Sequence, residues 1–488
     1  SACLVGSEMC IRDRVRTETL KETVVQTQTV EVKPTPVEKR AIDYLNIFNV
    51  QSAGARLFSK LMVEKFNALH PTHKLNLSFD SYTAIINPEL LGKIKAGTQP
   101  LLFDTVDHWD GQYIIMDAVL PLDEFLDKHK DIVQDNWCLA FEEKWYKPYQ
   151  EKYGYKYWAL PFCTTYQSFF WVRTDLIGEA GFTLEDVKKI NSLDKLKDMA
   201  LQVNKYWKGK GKTVWGFELC GTRFDITDTI WPQWAIAHDK KLGYWFSEDW
   251  SETYLDQWPW VKTLEAHVDF IDSGVSSPAA PRESDEVIAE LLMQGSVAMS
   301  QSEPINVGVI MDRDKTLRET RQKEYLRSGT IQFVPGADYG SGIRGLVAPL
   351  GFAILKRPDA TKKDYEAAFE FALSWLTEDA QRDVFEFSGG IPASTKTMDN
   401  LLKSARENMA KSPPDYSLQL IDALWPLVKD TTKNVLFPPF PAFVNVAYDI
   451  HAGWGEKAWL KQISPQEAMN NAANEVRKLI KDLGFAKK

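Results

Sequence analysis

Residues 155–182 constrain the fold more than any other part of the chain. An apolar, aromatic run at 157–162 precedes a second strand-like run at 168–172, and a short helical stretch at 173–181 follows. Pro161 cannot donate a backbone hydrogen bond, so the first run is predicted to be an edge strand or a crossover rather than a central strand. This order is typical of a chain that leaves one lobe, crosses a cleft and starts a second lobe.

Length and composition limit the class of protein. A chain of 488 residues is too long for one core, and its 44% hydrophobic and 26% charged residues are ordinary for a soluble globular protein. The formal net charge of −9 argues against a nucleic-acid partner, because phosphate binding needs a basic face. The longest apolar stretch near the recognisable motifs, 346–355, is about half of what a spanning helix requires. No transmembrane helix is predicted.

The N-terminal residues call for a separate interpretation. Residues 3–13, CLVGSEMCIRD, resemble a translated sequencing adapter, so 1–14 are interpreted as an artefact and the natural start, with any secretory signal, is expected to be missing. Residues 15–40 mix Thr, Val, Gln and charges and end in a Lys-Pro-Thr-Pro run before 40. We predict a disordered tether for this segment.

No catalytic, cofactor or metal motif is found. Cys138, Cys163 and Cys220 are too widely spaced for a CxxC motif and are predicted to be buried thiols. The GxGxxG string at 340–345 precedes an apolar, Pro-containing run instead of a helix, so it is interpreted as a hinge loop. The seven histidines are scattered, and a solvated loop is the simpler explanation of the 70–73 pair. We therefore predict no cofactor, no metal and no enzymatic activity.

Apolar periodicity predicts an α/β fold. The first part alternates strands and helices, which calls for parallel strands with helical crossovers; its predicted elements are strands 44–50, 74–79 and 101–106 and helices 58–69 and 88–97. The second part is richer in helices; they are predicted at 194–206, 261–273, 286–293, 361–376 and 464–483, with strands at 214–219 and 297–300. Thr361 and Asp364 have the spacing of a capping box, and Ser464 before Pro465 is predicted to be an N-cap.

Aromatic residues are abundant and clustered. The chain has 17 Trp, 17 Tyr and 25 Phe, with clusters at 231–234, 244–246, 258–260 and 437–443. A sugar ring offers apolar C–H faces and a rim of hydroxyls, so flat aromatic platforms beside polar groups favour a carbohydrate site. The alternative, that most of these rings are core, stays open.

Six motifs in order resemble family-one extracellular solute-binding proteins, the maltose-binding-like, carbohydrate-binding partners of ABC importers. They lie at 66–71, 95–104, 119–123, 155–182, 294–299 (QGSVAM) and 388–393 (SGGIPA). The resemblance covers nearly everything from residue 44 to residue 485. The segment 15–40 also resembles the Thr/Val-rich spacer that follows the lipid-anchored cysteine of bacterial binding lipoproteins.

The resemblance implies a two-lobed periplasmic-binding-protein fold of type II, with a mixed sheet flanked by helices in each lobe. Three hinge crossings are expected near 160–164, 344–351 and 389–393. Lobe one would then be 41–161 and 348–390, and lobe two would be 162–347 and 391–488. Ligand is expected in the cleft, at the carboxyl ends of strands.

Site residues follow from the positions of the family's ligand-facing loops. They are Gln51, Tyr82, Asp107, His108, Trp109, Thr165, Tyr166, Asp228, Trp231, Glu303, Asn306, Arg344, Gly390, Phe440 and Phe443. Asp107 falls where the family has a hydroxyl-accepting Asp. Thr165 and Tyr166 stand where relatives carry a Glu, and Glu303 and Asn306 follow the strand after which relatives carry a stacking Trp, so maltodextrin itself is not the expected ligand.

The function implied is capture of a carbohydrate, an oligosaccharide first of all, and its delivery to the permease subunits of an ABC importer. The protein is expected to be an extracytoplasmic monomer that touches the membrane only through a lipid anchor lost with the N-terminus. Three alternatives remain open. They are a secreted carbohydrate-active enzyme, a binding protein for a non-sugar solute, and a binding protein that delivers its ligand to a sensor rather than to a transporter.

Overall fold

Alternating apolar residues after residue 39 form the start of the larger of two sheets. In this computed structural model the described residues are 38–47, 52–80, 88–167, 169–222, 230–302, 308, 310, 325–336, 338–412, 414 and 419–486. Arg40, expected in the tether, is the first residue of strand β1. The described residues from 39 onward belong to one compact unit.

The described strands are short and mostly buried. They are β1 (Arg40–Asn46), β2 (His73–Phe79), β3 (Leu102–Val106), β4 (Ala159–Gln167), β5 (Phe169–Arg173), β6 (Met299–Ser302), β7 (Ile331–Pro335), β8 (Gly345–Ile354), β9 (Ile391–Pro392) and β10 (Asn434–Leu436). The large sheet has the order β2-β1-β3-β8-β4-β9, and β10 also pairs with β8. The small sheet has the order β6-β5-β7.

Helices carry the connections between strands. The described helices are α1 (Ala53–Leu69), α2 (Pro88–Ala96), α3 (Asp110–Ile115), α4 (Asp123–Leu126), α5 (Lys130–Asp135), α6 (Trp137–Trp145), α7 (Lys147–Tyr153), α8 (Thr174–Glu179), α9 (Leu184–Lys188), α10 (Leu193–Gly209), α11 (Trp231–His238), α12 (Trp258–Asp272), α13 (Asp285–Gln294), α14 (Lys362–Ser374), α15 (Glu378–Ser388), α16 (Thr395–Met409), α17 (Gln419–Val428), α18 (Ala452–Trp459) and α19 (Pro465–Asp482). Short 3₁₀ turns lie at Asp107–Trp109, Ala280–Arg282 and Thr431–Lys433, and π-helical turns lie at Asn445–His451.

Strand directions make the large sheet mixed. β1 runs parallel to both β2 and β3, as the alternation of strands and helices predicts. β8 comes from much later in the chain and lies antiparallel between β3 and β4. β8 therefore lies inside the sheet, a place that its position along the sequence does not indicate.

Pro161 lies inside β4, which is not an edge strand. β4 pairs with β8 along its length and with β9 at Cys163 and Thr164. The pairing with β8 shifts register between Pro161 and Cys163, and the Asn136 side chain donates to the Pro161 carbonyl at 2.8 Å. Proline is tolerated here because no described strand pairs with it on the β9 side. Two residues beyond β4 the chain enters the small sheet as β5.

Both faces of the large sheet are buried, so neighbouring residues of a strand enter different cores. Leu102 and Phe352 belong to a first core with α1, α14 and α15. Phe103 and Ala353 belong to a second core, which extends through the helices after residue 190. Burial on both faces explains why β8 is apolar throughout instead of alternating.

Several local predictions are confirmed and one is wrong. Thr361 and Asp364 form a capping box at the start of α14, and the Ser464 side chain accepts the Glu467 N–H at the start of α19. The strand predicted at 214–219 is wrong. Its residues make only isolated bridges, Trp215 to Val297 and a second one from Glu218.

Three further features bear on function. Cys138, Cys163 and Cys220 are buried and form no disulfide within the described ranges. Among the residues that the structure describes, no His, Cys, Asp and Glu side chains cluster as a metal site. No helix in that same part of the chain has the length and apolarity needed to cross a membrane.

Candidate functional site

The carboxyl ends of two strands meet at the middle of β8. β3 ends where Val106 pairs with Leu350, and β10 ends where Leu436 pairs with Val347. The intervening residues, Ala348 and Pro349, pair on their other side with Thr165 and Thr164 of β4. We call this junction the strand-end site, because open α/β sheets bind ligands beyond the carboxyl ends of their strands.

The end of β1 is fixed beside this junction by buried hydrogen bonds. Asp104 of β3 accepts the backbone N–H of Ile47 at 2.9 Å. The Asn46 side chain donates to the Tyr44 hydroxyl at 2.6 Å and to the Ser59 hydroxyl at 3.2 Å. Asp104 thus fixes the backbone at the end of β1, and the Asn46 side chain ties the end of the strand to α1.

His108 lies in the 3₁₀ turn that follows β3 and is 3% exposed. Its ring centroid lies 4.7 Å from that of Phe437, the residue after β10, and 5.3 Å from that of Phe443. Burial lowers the pKa of His108 to about 3, so the ring is uncharged at physiological pH. Residues that follow two different strands therefore touch across the strand-end site.

A second buried group, the Asp110 carboxyl, lies next to the turn that carries His108. Asp110 accepts the Thr105 hydroxyl at 2.8 Å and a hydrogen bond from Tyr146, and burial raises the pKa of Asp110 to about 8. Burial also raises the pKa of Glu142, with a further contribution from Asp110. Near neutral pH these buried groups carry little charge, which suits a neutral ligand.

Tyr166 and Gly390 occupy tight positions along β4. The Tyr166 hydroxyl donates to the Asn434 side chain at 2.9 Å, and its ring covers Gly345, where there is no room for a Cβ. A Cβ on Gly390 would lie 3.0 Å from the Cys163 sulfur. A side chain at Gly345 or Gly390 would therefore require its neighbours to move.

Trp109 and the two phenylalanines lie in the second core. The Trp109 Nε1 donates to the Tyr448 hydroxyl at 3.3 Å. Phe440 stacks on Phe246 with centroids 4.5 Å apart. Phe443 and Trp109 are both in ring contact with His108 of the strand-end site, with centroids 5.3 Å and 5.6 Å away.

Trp231 lies apart from the strand-end site. Its side chain is 1% exposed, its Nε1 donates to His267 Nδ1 at 2.9 Å, and its ring packs on His451 and Trp459. The open aromatic platform expected at this position is therefore a core residue in this conformation, and contact with ligand stays a prediction.

Arg344 precedes β8 on the other side of Tyr166. Its guanidinium lies 3.9 Å from the Asp338 carboxylate and is half exposed. The remaining predicted site residues lie outside the described residues; these are Gln51, Tyr82, Asp228, Glu303 and Asn306, together with the side chain of Asp107.

Sequence reasoning missed three residues that organise the site. Asp110 was overlooked because nothing in a single sequence marks a carboxyl as buried. Asn434 and Phe437 were missed as partners of Tyr166 and His108 because about 270 and 330 residues separate them along the chain. Only the aromatic run at 437–443 hinted at this region.

The fold and the strand-end site define a small-ligand-binding protein built on an open α/β sheet. More specifically, the chain belongs to the bacterial extracellular solute-binding proteins, because the model of that family matches residues 62–411. No curated protein sequence matches the chain.

Solved structures agree with this fold. A solute-binding protein of an ABC transporter from Thermotoga lettingae, bound with α-D-tagatose, has a TM-score of 0.69 at 17% identity and covers 91% of this chain and 100% of its own. The maltose/maltodextrin-binding domain MalE from Bdellovibrio bacteriovorus, bound to maltotriose, has a TM-score of 0.67 at 15% identity, with 91% and 100% covered.

The GacH receptor of Streptomyces glaucescens, studied unliganded and with acarbose, has a TM-score of 0.67 at 16% identity, with 91% and 99% covered. At such identities the likeness establishes the two-lobed α/β fold of solute-binding proteins.

Proposed function

We propose that this protein captures a carbohydrate, in the first place an oligosaccharide, and delivers it to the permease subunits of an ABC importer. It acts outside the cytoplasm as a monomer, with a lipid anchor upstream of residue 40, and it performs no chemistry on its ligand. The observation that carries the proposal is the strand-end site, where the ends of β3 and β10 meet over Ala348 and Pro349.

The chemistry of the described part of this site suits a neutral, hydroxyl-rich solute. His108 and Asp110 are uncharged near neutral pH because of burial. Thr165 supplies a hydroxyl, and Phe437 and Phe443 supply apolar ring surface beside His108. Sugars are bound by this combination of hydrogen-bonding groups and aromatic rings.

Closure of the lobes around the ligand completes the proposal. We place lobe one at 41–161 and 348–390 and lobe two at 162–347 and 391–488, with the three crossings acting as hinges. Gly308 supports a meeting of the lobes in this conformation, since a Cβ there would lie 3.3 Å from the Ser52 Cβ and 2.9 Å from the Ser388 carbonyl oxygen.

A thermal-shift and calorimetry panel of mono- and oligosaccharides tests the proposal on the full chain. A ligand at a hundred times its Kd stabilises the folded state by about 2.7 kcal/mol, a shift that is easily measured. Stabilisation by polyamines, phosphate esters or peptides, with no response to any sugar, would refute the carbohydrate ligand and leave the family assignment standing.

Thr165→Val tests the site itself, because it removes the hydroxyl at nearly constant volume. Loss of one hydrogen bond to the sugar should weaken binding about tenfold, with an unchanged melting temperature of the free protein. Thr213→Val, at an exposed position, is the matched control. Equal affinity of the two variants would remove Thr165 from the site.

A further inference from the structure

A groove lies at the end of β10 opposite to the strand-end site. It is a groove of about 740 Å³, lined by α6 residues Lys144 and Trp145, by residues between 240 and 254, and by Asn434 and Val435. The Tyr244 hydroxyl donates to the Leu436 carbonyl at 2.8 Å, which fixes this wall against β10. None of the lining residues was expected to bind ligand.

Three ammonium groups border the groove. Lys144, Lys240 and Lys241 are exposed, and none of them forms an ion pair with a carboxylate in the described part of the chain. Lys144 Nζ lies 5.4 Å from the ring centroid of Trp145. Uncompensated lysines at one concavity attract an anion, even though the whole chain carries a net charge of −9.

Two carboxylates also line the groove, and they have different roles. The Asp249 carboxylate accepts the Ser247 hydroxyl at 2.7 Å and the Ser251 backbone N–H at 3.1 Å, so it organises its own turn. Glu248 is exposed and can accept hydrogen bonds from hydroxyls. The lysines still outnumber the carboxylates, so the groove keeps an excess positive charge.

Aromatic rings complete the lining. The rings of Trp145 and Tyr244 lie 5.1 Å apart at 39°, and Phe246 and Tyr254 also line the groove. Ring faces suit the apolar face of a sugar, and lysines suit a carboxylate or sulfate ester on it. A sugar that carries an acidic group matches both features at once.

The groove is close enough to the strand-end site for one oligosaccharide to reach both. They lie at opposite ends of β10, whose three residues span about 10 Å. Asn434 lines the groove and also accepts the Tyr166 hydroxyl. We propose that the groove holds the acidic sugar of an oligosaccharide whose neutral part occupies the strand-end site. This inference rests on the proposed function.

Calorimetry with matched ligands tests this. The probes are trimers of galacturonate, glucuronate and mannuronate, each beside its carboxyl-reduced neutral form. At least one acidic trimer should bind more tightly than its neutral form, and Lys240→Gln/Lys241→Gln should weaken that binding about tenfold while leaving the neutral form unaffected. Lys403→Gln/Lys478→Gln, at exposed lysines elsewhere, is the control and should change neither.

Each outcome separates this inference from the proposed function. If neutral trimers bind and no acidic trimer binds better, the acidic site is wrong and carbohydrate capture stands. An equal loss of both ligands in the Lys240/Lys241 variant would also overturn the charge-specific role. If no saccharide of either kind binds, the proposed function itself fails.

Discussion

The two buried cores of this molecule are held together in different ways. In the first core, the buried Gln381 amide joins distant segments: it donates to the carbonyls of Phe162 and Trp375 and accepts the Ser394 N–H. The Trp375 Nε1 in the same core has no hydrogen-bond partner among the described residues. The second core contains a set of rings that we call the tryptophan cluster, namely Trp231, Trp234, Trp245, Trp260, Trp459, His267 and His451.

Ring packing in the tryptophan cluster is combined with hydrogen bonds from three indoles, which reach His267 Nδ1, Gln301 Oε1 and the Tyr244 carbonyl. His267 stacks on Trp459 at 4.7 Å, and His451 lies 4.7 Å from Trp231. The Trp245 Nε1 and the His451 Nδ1 have no hydrogen-bond partner among the described residues. The comparison teaches that clustered aromatics in this sequence built a core, and that this core depends on shape and on uncharged histidines.

The largest expected effect comes from removing a ring of the cluster. Trp231→Ala should lower the free energy of unfolding by about 3–5 kcal/mol, because it deletes a buried indole and leaves a cavity. Urea unfolding measures this, and Trp258→Ala, at a position 49% exposed, should cost less than about 1 kcal/mol. Unchanged stability with abolished sugar binding would restore the interpretation of Trp231 as an open platform.

Gln381→Leu probes the first core in the same assay. It removes three buried hydrogen bonds and leaves the Trp375 carbonyl and the Ser394 N–H without these partners, whereas the Phe162 carbonyl still accepts the Ala393 N–H. We therefore expect a loss of about 3 kcal/mol. Gln462→Leu at the exposed surface is the control. A loss below about 1 kcal/mol would mean that water or a rearrangement satisfies these groups and that the two cores differ less than proposed.

The third prediction concerns acid. Burial lowers the pKa of His451 to about 3, so below the ordinary value of 6.5 the unfolded chain binds a proton that the folded chain does not. Stability should therefore fall as pH drops through 6.5, by about 1.4 kcal/mol at pH 5.5 from this residue alone. His451→Phe should remove that part of the pH dependence, which pH-dependent urea unfolding measures. Identical pH profiles of the variant and the parent protein would show that His451 binds protons equally in the folded and unfolded states.

The smallest effect should have the opposite sign. Burial, followed by the charge of Glu283, raises the pKa of Glu218 to about 8, so the folded chain holds a proton that the unfolded chain has lost above pH 4.5. This contribution to stability is complete below pH 4.5 and is lost as pH rises through 8.

Glu218→Gln should therefore flatten the stability profile by about 1 kcal/mol between pH 5 and pH 6, while its amide oxygen still accepts the Ser277 N–H. Glu290→Gln is the exposed control. A steeper profile in the Glu218 variant would mean that this carboxyl is ionised and stabilising in the folded protein.

Local structure was predictable where one segment carries its own signal. The capping box of Thr361 and Asp364 and the Ser464 cap were predictable because residues close together along the chain make those contacts. The strand prediction at 214–219 was wrong because the apolar residues there are buried in the second core, and this segment pairs with other strands only at isolated bridges.

The candidate site was predictable in its chain positions and only partly in its contacts. His108, Thr165 and Gly390 were expected from the family's loop positions, and they do lie at or beside the middle of β8. Trp231 was expected beside them, yet its ring packs in the tryptophan cluster. A sequence gives an aromatic residue's position and not its environment, so core and platform cannot be separated before the fold is known.

The sequence by itself determined the α/β class, the positions of the caps and the family, because these depend on local periodicity and ordered motifs. The tertiary structure alone decided that β10 pairs with β8 and brings Phe437 to His108. It also decided that Lys144, Lys240 and Lys241 line one groove. The physical reason is that such contacts join residues far apart in the chain, and their free energy depends on burial that no single segment specifies.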